Sequence, residues 1–143
     1  ELIPYKTLFA EKNINAVMTA HIYNANIDAD WPATLSPITI NGLLRDSLGF
    51  EGVVFSDDMQ MDAIRSEYGL ETAIQQSLNA GVDVLIFGNN LVYEDDIAQK
   101  AIDIIQKLVA EGKVSQETIQ KSLDRIAILK KDVIEDLCTC LNF

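Results

Sequence analysis

Histidine, cysteine and basic side chains are all scarce in this chain, and each scarcity excludes something. His21 is the only histidine, so no multi-histidine metal site can form. The two cysteines, Cys138 and Cys140, lie close to the C-terminus with one residue between them. That spacing suits a disulfide poorly, and two thiols alone do not make a structural zinc site. We read both as reduced tail residues. Lys and Arg number 11 against 22 Asp and Glu, a net charge of −11. Such a surface repels phosphates, which argues against nucleic acid or an anionic membrane as partner. A solvated acidic exterior accounts for most of this charge without any function.

No apolar run approaches the ~20 residues that span a bilayer. The sequence has no glycine-rich phosphate loop, no Gly-x-Ser-x-Gly elbow and no HExxH, and nothing in it calls for a cofactor. The start, Glu1-Leu2-Ile3-Pro4, lacks a Met and lacks the basic and apolar regions of a signal peptide. The compartment is not readable from it.

What is present is a core. Of 143 residues 48% are apolar, enough for one folded domain. Three apolar runs read as buried strands: Ala16-Val17-Met18-Thr19-Ala20, Gly52-Val53-Val54-Phe55, and Val82-Asp83-Val84-Leu85-Ile86-Phe87. They are nearly continuous rather than alternating, the pattern of parallel strands covered on both faces. Their spacing suits βαβ units.

Helical patterns fall between them. Tyr5 to Lys12 reads as helical. Ser36 and Pro37 predict an N-cap and first helical residue, followed by a stripe of Ile40, Leu43, Leu44 and Leu48 that Gly49 ends. Further helices are predicted over Glu71 to Ala80, over Asp95 to Glu111, and from a Ser115 cap through Leu129. The class is α/β, a parallel sheet with right-handed crossovers. Residues 1–132 form the folded part, and 133–143 read as a poorly ordered tail.

Active sites of parallel α/β folds gather at the C-terminal ends of strands. That rule selects His21 after the first strand, Ser56, Asp57 and Asp58 after the second, and Gly88, Asn89 and Asn90 after the third. Asp57 is the foremost candidate: a carboxylate there can serve as nucleophile, general base or metal ligand. Asp58 suits a cap equally well. His21 can orient a hydroxyl or pair with a carboxylate, or be structural. Asn89 and Asn90 can bind a polar ligand or make a turn. Met59 and Met61 can line a pocket or fill the core, and Trp31 can stack on a sugar or pack at the sheet edge. Magnesium binding by the acidic pair ranks last, because the other strands end in His21 and Asn89.

The run Pro32-Ala33-Thr34-Leu35-Ser36, then Leu43-Leu44-Arg45-Asp46-Ser47-Leu48-Gly49-Phe50, then Gly52-Val53-Val54-Phe55-Ser56-Asp57-Asp58-Met59-Gln60-Met61 resembles glycoside hydrolase family 3. It is most similar to the bacterial β-N-acetylglucosaminidase (β-hexosaminidase) branch. Ala16 to His21 and Ala80-Gly81-Val82-Asp83 extend the likeness, which covers roughly Glu1 to Lys130.

The resemblance implies the C-terminal portion of a TIM-type barrel, about three βα units, not closed within one chain. It implies that Asp57 is the nucleophile of a retaining β-N-acetylglucosaminidase; His21, Met59 and Asn89, singled out at the strand ends, are the candidates to touch its N-acetylglucosaminide substrate. Asp58 takes no catalytic role from it. In that branch the acid/base is a His-Asp pair in a glycine-rich loop. This sequence has no such loop, and His21 does not match it. The expectation is a fragment with the nucleophile present, inactive alone, that self-associates through exposed sheet edges. The alternative is a non-enzymatic self-assembling or carbohydrate-binding module.

Overall fold

The structure is a computed structural model that describes residues 2–11, 14–89 and 93–141, with side chains up to 134. Five α-helices, α1 (Ile3–Ala10), α2 (Asp62–Tyr68), α3 (Leu70–Ala80), α4 (Ile97–Ala110) and α5 (Gln116–Leu141), accompany three strands, β1 (Ala16–Met18), β2 (Val53–Asp58) and β3 (Val84–Ile86). The strands are parallel and lie side by side in chain order. Each crossover carries helix, as parallel pairing requires. The sheet is open, and within the described residues β1 and β3 each have one neighbour.

Strand placement follows the apolar runs, but the ends differ. β2 continues through Asp58, so both aspartates belong to the strand. Lys12 and Asn90, expected in a helix and at a strand end, lie outside the described residues. The segment after 132 continues α5 to Leu141, so the expected tail boundary falls within a helix.

The helix after Ser36 forms with a different winding from the one expected. Ser36 does cap it, its hydroxyl oxygen accepting from Thr39 N–H at 2.9 Å. The segment Ile38–Ser47 is then a π-helix, closed by Leu48 N–H to the Leu43 carbonyl at 3.0 Å. The wider turn puts Ile40, Leu44 and Leu48 against the core. Two short elements carry too few apolar residues to be read in advance: the 3₁₀ turn Ala33–Leu35 and α2, where Ile64 alone is buried.

One core cluster joins Phe9, Ile40, Phe50, Val54, Ala80 and Val82 on the face under the π-helix. A second joins Ile74, Leu78, Ala101, Leu108 and Val114 between α3 and α4. A third, Leu35, Met59, Ile64 and Ala73, sits beneath the C-terminal rim. Fully burying each Val, Leu, Ile, Phe or Met side chain among them is worth about 1.5–3 kcal/mol. On the other face, Met18, Phe55 and Val84 are paired across the sheet, and Met18 is 65% exposed.

Gly52 permits the close approach of β1 and β2, since a Cβ there would lie 2.4 Å from the Asn15 carbonyl oxygen. Among the described residues no helix is long and apolar enough to cross a membrane.

Candidate active site

The C-terminal rim is where the strand ladder gives out and side chains replace its rungs. On the β1 side the last rung is Thr19 N–H to the Phe55 carbonyl, at 2.9 Å. On the β3 side the register shifts between Phe55 and Asp58. Ser56 fills that irregularity: its buried hydroxyl oxygen accepts from Ile86 N–H at 2.9 Å.

Asp57 is half-buried, and its Oδ1 accepts from Asp58 N–H at 2.8 Å. Among the described residues nothing donates to its other oxygen, and no cation pairs with it. Asp58 is used differently. Its Oδ1 accepts from Gln60 N–H and from Gly88 N–H, both at 3.0 Å, tying the two loops that follow β2 and β3. It therefore holds a turn rather than a helix: the residue preceding α2 is Met61, with no side-chain cap.

His21 reaches the same place from β1. Its Nε2 lies 2.9 Å from the Asp58 carbonyl oxygen, and its Nδ1 2.9 Å from the Thr34 hydroxyl. Thr34 Oγ1 is in turn 2.9 Å from Thr19 Oγ1. A carbonyl only accepts, so in the neutral ring Nε2 carries the hydrogen and Nδ1 accepts from Thr34. Leu35, fully buried, anchors the turn that presents Thr34.

Asn89 has φ 51°, a left-handed conformation that asparagine tolerates better than most residues. Its amide is occupied: Nδ2 donates to the Glu94 carbonyl at 2.9 Å, and Oδ1 accepts from Glu94 N–H at 2.7 Å. Its backbone N–H donates to Gln60 Oε1 at 2.8 Å.

The three residues expected to touch a sugar all bond or pack against protein among the described residues. His21 has both ring nitrogens engaged, and the Asn89 amide is closed on its own loop. Met59 is 0% exposed among Leu35, Ile64 and Ala73. All three hold protein. Trp31 packs at 5.3 Å from Tyr68 beside the same cluster, and Met61 is half-buried next to the turn. Gln60, 2% exposed, is a rim residue that sequence reasoning missed. The signal was an amide between two methionines directly after a buried strand. Among the described residues no three His, Cys, Asp or Glu side chains converge as cation ligands.

The opposite rim carries a second carboxylate. Asp83 precedes β3 with its side chain fully buried. Its Oδ2 accepts from Arg45 at 2.9 Å and Val54 N–H at 2.8 Å; its Oδ1 accepts from Ser122 at 2.7 Å and Arg125 at 2.9 Å. Burial pulls the Arg45 guanidinium below its ordinary value, with Asp83 opposing that shift. A cavity of about 230 Å³ lies at this rim too, lined by Phe9, Phe50, Gly52, Ile128 and Leu129 among others, away from Asp57.

Chemically, the upper rim offers two adjacent carboxylates oriented through Oδ1, Asp57 by one amide and Asp58 by two that tie its loops together. Residues 1–129 match the Glycosyl hydrolase family 3 N terminal domain. Similar curated proteins include a beta-hexosaminidase of Tolumonas auensis, 36% identical over 90 residues (63% of this chain, 27% of that protein). Another, from Stenotrophomonas maltophilia, is 38% identical over 106 residues (74% of this chain, 30% of that protein). A solved glycoside hydrolase family 3 beta-N-acetylglucosaminidase from Paenibacillus superposes with a TM-score of 0.82 at 34% identity, covering 91% of this chain and 24% of that one. The chain thus spans about a quarter to a third of the length of the curated relatives it matches. It belongs to glycosyl hydrolase family 3, as three βα units of that family's TIM-type barrel domain.

Proposed function

We propose that this chain supplies the nucleophile of a retaining β-N-acetylglucosaminidase, and that the nucleophile is Asp57. The observation that carries the reading is the half-claimed Asp57 carboxylate at the C-terminal end of β2, within the Ser56-Asp57-Asp58 motif. Ionised, its open oxygen attacks the anomeric carbon of a terminal N-acetylglucosaminide. The bond to the leaving oxygen breaks, and a glycosyl ester forms on Asp57. Water then hydrolyses that ester with retention. The relatives' names, beta-hexosaminidase and beta-N-acetylglucosaminidase, support this substrate class.

Both halves of that reaction need a proton donor and acceptor on the other side of the sugar. We assign Asp58 no proton transfer, because two backbone amides on its Oδ1 hold its carboxylate in the rim turn. His21 does not serve, because both its nitrogens are bonded to protein. These 143 residues assayed alone therefore turn over negligibly. The test is hydrolysis of an aryl N-acetylglucosaminide by the chain and by Asp57→Asn. Robust turnover that survives the substitution sinks both the nucleophile and the inactivity.

A second property follows from the open sheet. Among the described residues β1 and β3 each have an unpaired edge, and Met18 (65%), Ile22 (64%) and Ile3 (76%) leave apolar surface in water. The chain self-associates through these surfaces on this reading. A monodisperse monomer of ordinary stability in sedimentation would contradict it. Titration with N-acetylglucosamine divides the non-enzymatic alternative: no binding together with a stable oligomer marks a purely structural fragment.

A further inference from the structure

The orientation of Asp57 is set by its neighbour. Asp58 is pinned at its carbonyl by His21 Nε2 at 2.9 Å, and at its carboxylate by the Gln60 and Gly88 amides at 3.0 Å. With both ends held, its backbone dihedrals have little freedom. Its N–H is then aimed at Asp57 Oδ1, 2.8 Å away. On the β3 side backbone pairing shares this work: Asp58 pairs with Ile86 after the register shift, and Met59 N–H donates to the Ile86 carbonyl at 2.9 Å. On the β1 side it does not, since β1 ends at Met18. His21 Nε2 ties the end of β2 to the segment that follows β1.

We infer that His21 is a positioning residue for the nucleophile. Its Nε2–H fixes Asp58, and Asp58 N–H fixes the Asp57 carboxylate. The Asp58 carbonyl sets the ring's tautomer, and the Thr19–Thr34–His21 chain accommodates it with Thr34 donating to Nδ1. This rests on the reading of Asp57 as nucleophile given above. It also explains why His21 stands at the rim with no free nitrogen: the side chain acts through Asp58, not on the sugar.

The test separates the two ring nitrogens by shape. In His21→Gln the side-chain amide reaches the Nε2 position and can donate to Asp58, while the Thr34 contact is lost. In His21→Asn the amide occupies the Nδ1 position near Thr34, and the donation to Asp58 is lost. Each variant loses one of two hydrogen bonds, so their denaturation midpoints fall by similar amounts. The clamp is read by hydrogen exchange of the Asp58 amide. Exchange quickens by roughly 10-fold or more in His21→Asn and stays near wild type in His21→Gln. Equal exchange in the two variants overturns the clamp.

The chemistry is read by covalent labelling with a dinitrophenyl N-acetylglucosaminide, followed by mass mapping of the adduct. The carbon–oxygen bond to the aryl group breaks, the bond from Asp57 to the anomeric carbon forms, and the dinitrophenolate leaves as an anion that needs no proton. Labelling of Asp57 slows by roughly 10- to 100-fold in His21→Asn and by only a few-fold in His21→Gln. Labelling of His21→Asn at the wild-type rate overturns the positioning role. A wild-type chain that takes no label on Asp57 overturns the nucleophile reading instead, and amide exchange still decides the clamp. Should His21→Asn fail to fold, the wild-type ring answers alone: nitrogen shifts of the Nε2–H tautomer support the clamp, and those of the Nδ1–H tautomer overturn it.

Discussion

The two rims of the sheet each hold a carboxylate, and they use it in opposite ways. At the N-terminal rim Asp83 is fully buried and accepts four hydrogen bonds, two of them from arginines. At the C-terminal rim Asp57 is half-buried and accepts one, from the next residue in the chain. Asp58 falls between them, taking two backbone amides on one oxygen. A saturated carboxylate is a fastener, because every lone pair it could offer a substrate is spent on protein. An unsaturated one, held in place by a single bond, is available for chemistry. In barrel-type α/β folds the same division separates the rim that stabilises from the rim that reacts.

The largest effect should come from breaking the fastener. Asp83→Ala strands Arg45, whose side chain is 11% exposed, and leaves the Val54 amide without its acceptor. Removing one partner of a buried ion pair costs about 3–5 kcal/mol. A large drop in the urea midpoint, or no cooperative unfolding at all, is the expected result. An unchanged midpoint would mean that Asp83 is no fastener, and the contrast between the rims would collapse.

His21→Ala comes next. It deletes two hydrogen bonds from a half-buried ring and leaves the fully buried Thr34 hydroxyl with Thr19 alone. The expected loss is about 2–3 kcal/mol, read as a shift in midpoint with an unchanged slope. A loss under ~0.5 kcal/mol would show the ring to be idle, and the upper rim would be looser than its geometry implies.

These contrasts explain what was legible beforehand. The strands were, because continuous apolar runs have few other homes in a parallel sheet. The place of Asp57 at the end of β2 was, because a carboxylate ending such a run is conspicuous. The π-helix was not: Ile40, Leu44 and Leu48 satisfy ordinary helical spacing as well, and the winding is decided by hydrogen bonds such as Leu48 to Leu43. The engagement of His21 and Asn89 was not, because their partners Thr34, Asp58 and Glu94 are brought to them only by folding. Asp83 could have been flagged. A lone acid inside Val82-Asp83-Val84-Leu85-Ile86 demands buried cations, and Arg45 and Arg125 are two of only three arginines in the chain.

A smaller effect, dependent on pH, tests the loop that feeds the upper rim. Asp28 accepts from Asp30 N–H at 2.9 Å, Trp31 N–H at 3.1 Å and the Ser36 hydroxyl at 2.5 Å. Burial pushes its carboxyl up, but these bonds outweigh that and hold it below the ordinary value. A depressed folded value means stability that is present above the unfolded value, near ~3.9, and lost as pH falls through the folded one. Asp28→Asn should therefore be about 1–2 kcal/mol less stable than wild type near neutrality. The gap should close below about pH 3.9. A gap that stays constant with pH would assign the loss to shape rather than to charge.

The smallest expected effect is the most diagnostic. Asp57→Asn keeps an acceptor at Oδ1 for the Asp58 amide and disturbs no ion pair. Its midpoint should move by no more than ~0.5 kcal/mol, the range of surface substitutions that break nothing. The same substitution removes the anionic oxygen, so labelling by an activated glycoside should vanish. Stability without reactivity is the signature of a carboxylate kept for chemistry. A stability loss of Asp83's size at Asp57 would instead make both rims structural, and the open oxygen at the upper rim would have no role in a reaction.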